Sequence, residues 1–176
     1  MNIAPLTAGD VDRVAEFFER VPEGDRTFFK EPVAGTSTVQ GWLSDGSIRI
    51  LAIDDDGATV AGYAAVIPGV GWSGHVGELR LVVDPARRRQ GLGAALAKAA
   101  LAAALESGLS KVVVEAIATQ DATIALFAGL GFQPEALLVD QVRDAGGGLH
   151  DLMVLAMNGN ETWATLTAMG LDQPLD

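Results

Sequence analysis

A short basic stretch in the middle of the chain has the composition of an anion-binding site. The segment Leu81–Val83 predicts the end of a strand, which the Asp-Pro pair after it terminates. Three consecutive arginines follow, and Gly91 and Gly93 then open an alanine-rich helix. The start of a helix presents unpaired N–H groups and a positive dipole end, and glycine lets an anion approach the backbone closely. The stretch therefore predicts a site for a diphosphate.

The other common nucleotide-binding motifs are excluded. The sequence has no G-x-x-x-x-G-K-[ST] loop, and the dinucleotide fingerprint would need its first glycine where Arg88 stands. A solvated basic turn is the alternative interpretation of the arginines and glycines. Their position after a strand and at the head of a helix favours the anion site.

Two segments carry a resemblance to a known family. Arg88-Arg89-Gln90-Gly91-Leu92-Gly93 resembles the R/Q-x-x-G-x-G/A element of GNAT acetyltransferases, and the preceding Val83-Asp84-Pro85 is also typical. Gln120 to Phe132 is similar to the family's N-x-x-A-x-x-L-Y-x-x-x-G-F helix, with Leu126, Gly131 and Phe132 in register. The resemblance covers nearly the whole chain. It implies an enzyme that moves acetyl from acetyl-CoA directly to a primary amine, which is a protein lysine, an N-terminus or a small amine.

The resemblance also implies how the coenzyme binds. Backbone groups around Leu81 and Val83 would pair with the pantetheine arm, and the amides from Arg89 to Ala94 would bind the pyrophosphate. The residues expected to bind acetyl-CoA are Leu81, Val82, Val83, Arg88, Arg89, Gln90, Gly91, Leu92, Gly93, Ala94, Gln120 and Phe127.

Two positions depart from the family pattern. Gln120 stands where the family has Asn, and Phe127 stands where it has the Tyr that is often assigned as the acid protonating the departing thiolate. Phenylalanine cannot donate a proton, so water or another group would protonate a thiolate whose pKa is about 8.5. A core aromatic is the structural interpretation of Phe127. The substitution also leaves open a non-catalytic acyl-CoA-binding sensor, and a purely partner-binding domain is a third class.

An acceptor amine with a pKa near 10.4 is protonated at neutral pH, so direct transfer needs a base. Glu78 lies five residues before Val83 on the same predicted strand, within reach of the cleft. Its segment resembles that of bacterial protein-lysine acetyltransferases, which carry a catalytic Glu at the matching place. A solvent-facing or arginine-paired carboxylate is the alternative interpretation. Glu115, on the next predicted strand, is the second candidate for the base.

The acceptor is expected to bind in the irregular segment from Val21 to Ser44, where the superfamily builds its acceptor-binding wall. Arg26, Phe28 and Phe29 are the candidate contacts, and simple packing of the two aromatic side chains under a loop is the alternative.

The predicted elements form one α/β (α+β) domain over residues 1–176, in which a mixed, mostly antiparallel sheet of six to seven strands is flanked by about four helices. Residues 161–176 would form a short C-terminal extension with a helix around Trp163 to Met169. The predicted strands are Ile3 to Leu6, Ile48 to Ile53, Thr59 to Ile67, His75 to Val83, Lys111 to Ala116, Leu137 to Val142 and Leu149 to Met157. The predicted helices are Ala8 to Arg20, Gly91 to Leu105 and Asp121 to Leu130, with a short helix between Val21 and Ser44.

The composition of the chain limits the classes of molecule that it is expected to bind. The 176 residues carry a formal charge of −11, which argues against binding to nucleic acid or anionic membrane and favours a cationic substrate. Without cysteine and with two isolated histidines, His75 and His150, we expect no metal site. We expect no signal peptide and a cytoplasmic location. The predicted terminal strand pair offers an edge, so we expect a monomer or a homodimer.

Overall fold

The computed structural model describes residues 1–26 and 29–159. The strands are β1 (Asn2–Pro5), β2 (Ile48–Ile53), β3 (Val60–Pro68), β4 (Val76–Val83), β5 (Lys111–Ile117), β6 (Gln133–Arg143) and β7 (Leu149–Asn158). The helices are α1 (Val11–Arg20), α2 (Glu23–Arg26), α3 (Thr36–Trp42), α4 (Leu92–Glu106) and α5 (Asp121–Gly129). None of the described helices is long and apolar enough to cross a membrane.

The seven strands form a single sheet in the order β1-β2-β3-β4-β5-β7-β6. All neighbouring pairs are antiparallel except β4 and β5, which run parallel. This arrangement confirms the predicted mixed, mostly antiparallel sheet. A parallel pair needs a crossover, and α4 supplies it between β4 and β5.

One face of the sheet is covered by α4. Apart from Lys98 and Glu106 the helix is apolar, and its many alanines let it pack closely on β2, β3 and β4. A Cβ atom at Gly62 on β3 would lie 2.7 Å from Leu96 Cδ1, which shows how little space separates helix and sheet. Phe127 and Phe132 extend this core toward β5 and β7.

The opposite face carries α1, α3 and an aromatic cluster. Phe18 of α1 meets Trp42 and Phe29 edge-on, and it packs in the same way on Tyr63 of β3. Such edge-to-face pairs stabilise a core beyond the burial of their area. The cluster fixes the segment from Phe29 to Trp42 over the ends of β3 and β4.

The structure differs from the sequence prediction in the helices before β2 and in the start of β6. The segment expected to hold one short helix contains both α2 and α3. Strand β6 begins at Gln133, four residues before the expected Leu137. The sequence does not indicate this start, because β6 is a largely exposed edge strand whose first residues are polar and include a proline. The predicted helix around Trp163 to Met169 lies outside the described residues.

Candidate active site

The parallel strands β4 and β5 stay together for only part of their length. Their pairs run from Val76 and Lys111 to Glu78 and Val113, whereas β4 continues to Val83 and β5 to Ile117. A cleft of about 760 Å³ opens along these diverging strands. Backbone groups along such inner strand edges are available to an extended ligand, as in strand addition to a sheet edge.

The wall of the cleft comes from four parts of the chain. Its lining includes Asp25, Phe29, Lys30, Glu78, Leu79, Arg80, Leu81, Val82, Val83, Arg88, Arg89, Gly91, Gly93, Ala94, Val114, Glu115, Ile117, Gln120, Ala122, Thr123, Leu126, Phe127, Val142 and Leu152. The cleft is therefore apolar in its middle, basic at the start of α4, and acidic where β4 and β5 separate.

The basic end of the cleft is the N-terminus of α4. Its first hydrogen bond within the turn runs from Ala95 N–H to the carbonyl of Gly91, so helix geometry leaves the N–H groups from Gly91 to Ala94 without a partner in the helix. Gly91 has φ +82°, and a Cβ atom there would meet nothing within 4 Å. Open space over a glycine in the left-handed conformation, at the start of a helix, is the geometry that an anion requires.

The three arginines before α4 have different surroundings. Arg87 pairs with Asp54 in the β2–β3 turn, which holds the loop against the sheet. Arg88 donates to the carbonyl of Val83 and to the carboxylate of Asp25, so it joins the loop to α2 across the mouth of the cleft. Arg89 is exposed with φ +61°, a conformation that costs a non-glycine residue about 1–3 kcal/mol and often marks a functional loop.

The acidic end of the cleft holds Glu78 and Glu115. Because Glu78 pairs with Val113, and Glu115 follows Val113 by two residues, both side chains lie on the same face of the sheet. The ammonium of Lys30 lies between them, with Nζ 3.1 Å from Glu78 Oε2 and 2.6 Å from Glu115 Oε2. The two carboxylates thus already coordinate one alkylammonium group.

Glu78 also accepts a hydrogen bond from a residue of its own strand. Arg80 Nε donates to Glu78 Oε1 at 3.0 Å. Partial burial works to raise the pKa of Glu78, but the hydrogen bonds and charges of Arg80 and Lys30 outweigh it and hold that pKa below its usual range. Glu78 is therefore a carboxylate at neutral pH.

A chain of ion pairs continues from Arg80 into the protein. Arg80 pairs with Glu31 at 3.1 Å, and Glu31 in turn pairs with Arg49 at 3.2 Å. Arg49 is only 4% exposed, pairs with Asp45 at 2.6 Å, and stacks over the ring of Trp42. Buried guanidinium groups with several partners are rigid, so this chain fixes Arg80 and the segment that carries Lys30.

The family model for the acetyltransferase (GNAT) family matches residues 13–132. That span is more than half of the chain and includes both ends of the cleft. The chain belongs to the GNAT acetyltransferase family.

One curated relative is mycothiol acetyltransferase from Kocuria rhizophila, which is 31% identical over 119 residues. The match covers 61% of this chain and 39% of the relative, so this GNAT chain spans about two fifths of that protein's length.

Solved structures of other acetyltransferases have the same fold. The ribosomal-protein-alanine N-acetyltransferase from Brucella melitensis aligns with a TM-score of 0.79 and 22% identity, over 90% of this chain and 99% of that one. A GNAT superfamily phosphinothricin acetyltransferase from Sinorhizobium meliloti, in complex with acetyl-CoA, aligns with a TM-score of 0.77 and 20% identity, over 89% of this chain and 87% of that one. At these identities the alignments show the fold alone.

In this GNAT acetyltransferase, most residues singled out from the sequence lie together. Ten of the twelve expected coenzyme contacts line the cleft; Gln90 and Leu92 are absent from its lining, and the Leu92 side chain is buried in the core instead. Both candidate bases line it. Of the expected acceptor contacts, Phe29 lines the cleft, Arg26 is half-buried away from it, and Phe28 lies outside the described residues.

The two residues that depart from the family motif are placed by α5. Gln120 lies at the start of α5, where its side-chain oxygen accepts a hydrogen bond from the N–H of Ile117 at 3.3 Å. Phe127 is 1% exposed and packs edge-on against Phe132. The single tyrosine of the sequence, Tyr63, is buried in the aromatic cluster and does not line the cleft, so it does not replace the missing phenol.

Sequence reasoning did not single out Lys30, Arg80, Glu31 or Arg49. Arg80 had a usable signal, because a residue two positions after Glu78 on a strand shares its face. Lys30 and Glu31 had no such signal, since they lie on a loop that is distant in sequence from β4, and its path decides which residues they contact. Their positions emerge only from the fold.

Proposed function

We propose that this GNAT family member transfers an acetyl group from acetyl-CoA directly to a primary amine, with Glu78 as the general base. The observation that supports this function most strongly is the cleft between β4 and β5. It leads from the unpaired amides at the start of α4 to the carboxylates of Glu78 and Glu115. An extended thioester with a phosphate end fits the first half, and an ammonium group fits the second.

The residues of the basic end fit the coenzyme's pyrophosphate. The amides from Arg89 to Ala94 would donate hydrogen bonds to its oxygens, and the side chain of Arg88 or Arg89 would supply a cation. The backbone of Leu81 and Val83 would pair with the amides of pantetheine. The phosphinothricin acetyltransferase of the same fold was solved in complex with acetyl-CoA, which supports this assignment.

Glu78 is suited to receive the proton of the acceptor because it is ionised at neutral pH. Its lowered pKa makes it a modest base, so the proton passes on to solvent after transfer instead of remaining on the carboxylate. Glu115 shares the ammonium position and is the second candidate for the base. The direct attack of the amine nitrogen on the thioester then requires no covalent enzyme intermediate.

The thiolate product leaves without a tyrosine at position 127. Because a free thiol has a pKa of about 8.5, the thiolate is a good leaving group and water is a sufficient proton donor near neutral pH. The consequence is a reaction that does not depend on a tyrosine acid.

The similar structures and the charge of the chain both bear on which amine is the acceptor. The relatives' names point to different acceptors, a ribosomal-protein alanine in one case and phosphinothricin in another. The net charge of −11 and the paired carboxylates favour a cationic amine. We therefore include a lysine peptide, a peptide N-terminus and a polyamine as the first acceptors to test.

The test combines thiol release from acetyl-CoA with calorimetry of CoA binding. Amine-dependent thiol release is the expected result. CoA binding without turnover for any acceptor would instead make the protein an acyl-CoA sensor. The absence of CoA binding at millimolar coenzyme would remove the function altogether and leave a partner-binding domain.

A further inference from the structure

Lys30 occupies the position that the proposed reaction assigns to the acceptor amine. Its Nζ contacts Glu115 Oε2 at 2.6 Å and Glu78 Oε2 at 3.1 Å, at the point where β4 and β5 separate. Its side chain is 46% exposed and lines the cleft. An unbranched primary ammonium of this chain therefore lies against both candidate bases.

The sequence contains three lysines, and the other two lie elsewhere. Lys98 belongs to α4, and Lys111 forms an ion pair with Glu135 at 2.7 Å. Neither lines the cleft. The chain thus provides two internal references of the same chemical type for any reaction at Lys30.

We propose that Lys30 is a site of self-acetylation, at which the enzyme transfers an acetyl group from bound acetyl-CoA to its own ε-amine. The inference rests on the proposed function, because it requires acetyl-CoA in the cleft. A nucleophile fixed in the same molecule reacts with a high effective concentration, which compensates for the absence of optimised acceptor contacts. The Phe29 side chain beside Lys30 packs into the aromatic cluster, which keeps the lysine at the cleft.

The chemistry balances without a further reactant. The Lys30 ammonium gives one proton to the carboxylate of Glu78, directly or through a water, and the freed lone pair forms a bond from Nζ to the thioester carbonyl carbon. The bond between that carbon and sulfur breaks, and its electron pair leaves with CoA as the thiolate, which takes a proton from solvent. The second ammonium proton is lost as the amide forms, so the products are ε-acetyl-lysine and CoA.

Acetylation would also change the site. A neutral amide cannot replace the ammonium between two carboxylates, so Glu78 and Glu115 would both lose a cationic partner. Cationic acceptors would then meet no competing ammonium of the protein itself, while Arg80 would still hold Glu78 from β4. Self-acetylation would in this way remove the protein's own ammonium group from between the two carboxylates, so that an acceptor's ammonium group can bind there.

The test is a time course of the full chain with acetyl-CoA and no acceptor, followed by peptide mass spectrometry at the three lysines. Lys30 is expected to react at least about 10²-fold faster than Lys98 and Lys111, a modest fraction of intramolecular effective molarities. The rate should be first order and independent of protein concentration. Lys98→Arg should leave the Lys30 rate unchanged, and Gly91→Asp should abolish it.

Four results would overturn the proposal. Equal rates at all three lysines would mean that modification is non-enzymatic, and a rate proportional to protein concentration would mean transfer between molecules. An unmodified Lys30 in a protein that binds acetyl-CoA by calorimetry would refute self-acetylation while leaving the proposed function intact. If acetyl-CoA does not bind at all, both the proposed function and this inference fail.

Discussion

Arg80 donates a hydrogen bond to Glu78 from two residues further along the same face of β4, with Nε 3.0 Å from Oε1. This contact keeps a half-buried carboxylate ionised beside the ammonium group of Lys30. The same guanidinium contacts Glu31, so Glu78 is connected to the segment that carries Lys30. The relationship determines at which pH Glu78 can act.

Replacing Arg80 by Met should move the acid limb of the pH profile. Arg80 lowers the pKa of Glu78, so without it Glu78 stays protonated to a higher pH and kcat/KM should fall at pH values where the wild type is still active. The measurement is the pH dependence of kcat/KM with one good amine acceptor.

The matched control is Lys111→Met, which removes a cation on β5 that pairs with Glu135 outside the cleft. Its profile should overlay that of the wild type. An unshifted acid limb in the Arg80 variant would mean that the pKa of Glu78 does not govern the reaction.

Loss of Arg80 should also change stability in a pH-dependent way. A carboxyl whose pKa is lowered by folding stabilises the protein above its unfolded pKa, and this contribution disappears as pH falls through the folded value. The Arg80→Met protein should therefore lose more stability, relative to the wild type, at neutral pH than in acid. Urea unfolding at both pH values checks this, and an equal loss at both would contradict it.

Replacing Gly91 by Asp should abolish CoA binding, because a carboxylate at the start of α4 occupies the anion site and repels phosphate. Gly108, just after the end of the same helix, is the matched control: it also has positive φ, at +93°, and open space around its Cβ position. Gly108→Asp should lose comparable stability but retain CoA binding by calorimetry. Equal CoA affinity in both variants would place the pyrophosphate elsewhere.

Replacing Lys30 by Met should improve the binding of cationic acceptors. The ammonium of Lys30 competes for both carboxylates, and two exposed ion pairs of this kind contribute about 0.2–1 kcal/mol each. KM for a polyamine should therefore fall by up to about 30-fold with little change in kcat. Lys30→Arg, which keeps the charge, should retain the higher KM. A rise in KM for the Met variant would show that Lys30 helps to bind the acceptor.

The basic end of the cleft could be predicted because its signal is local. A strand end, the arginines and Gly91 with Gly93 lie within about a dozen positions, and each acts through its own backbone conformation. Glu78 was predictable for the same reason, since its distance along β4 from the loop fixes its place in the cleft. The β2–β3 hairpin followed from two largely apolar segments on either side of an Asp-Gly turn.

The other half of the site depends on contacts between distant parts of the chain. Lys30 contacts Glu78, which is 48 positions away in the sequence, and the buried Arg49 contacts Glu31, which is 18 positions away. No periodic pattern in the irregular segment indicates where its side chains go, because its path is set by aromatic packing on α1 and β3. The start of β6 was missed because exposed edge strands carry little apolar alternation.

The most direct test of Glu78 as the base is the pH profile of kcat/KM for the wild type and Glu78→Gln with one amine acceptor, measured beside CoA affinity. The amide keeps the size of the side chain but cannot accept the proton. CoA affinity should persist, turnover should fall by about 10²- to 10⁴-fold near neutral pH, and part of the loss should return at high pH as the amine deprotonates in solution. Wild-type turnover in the Gln variant would contradict the account and move the base to Glu115 or to water.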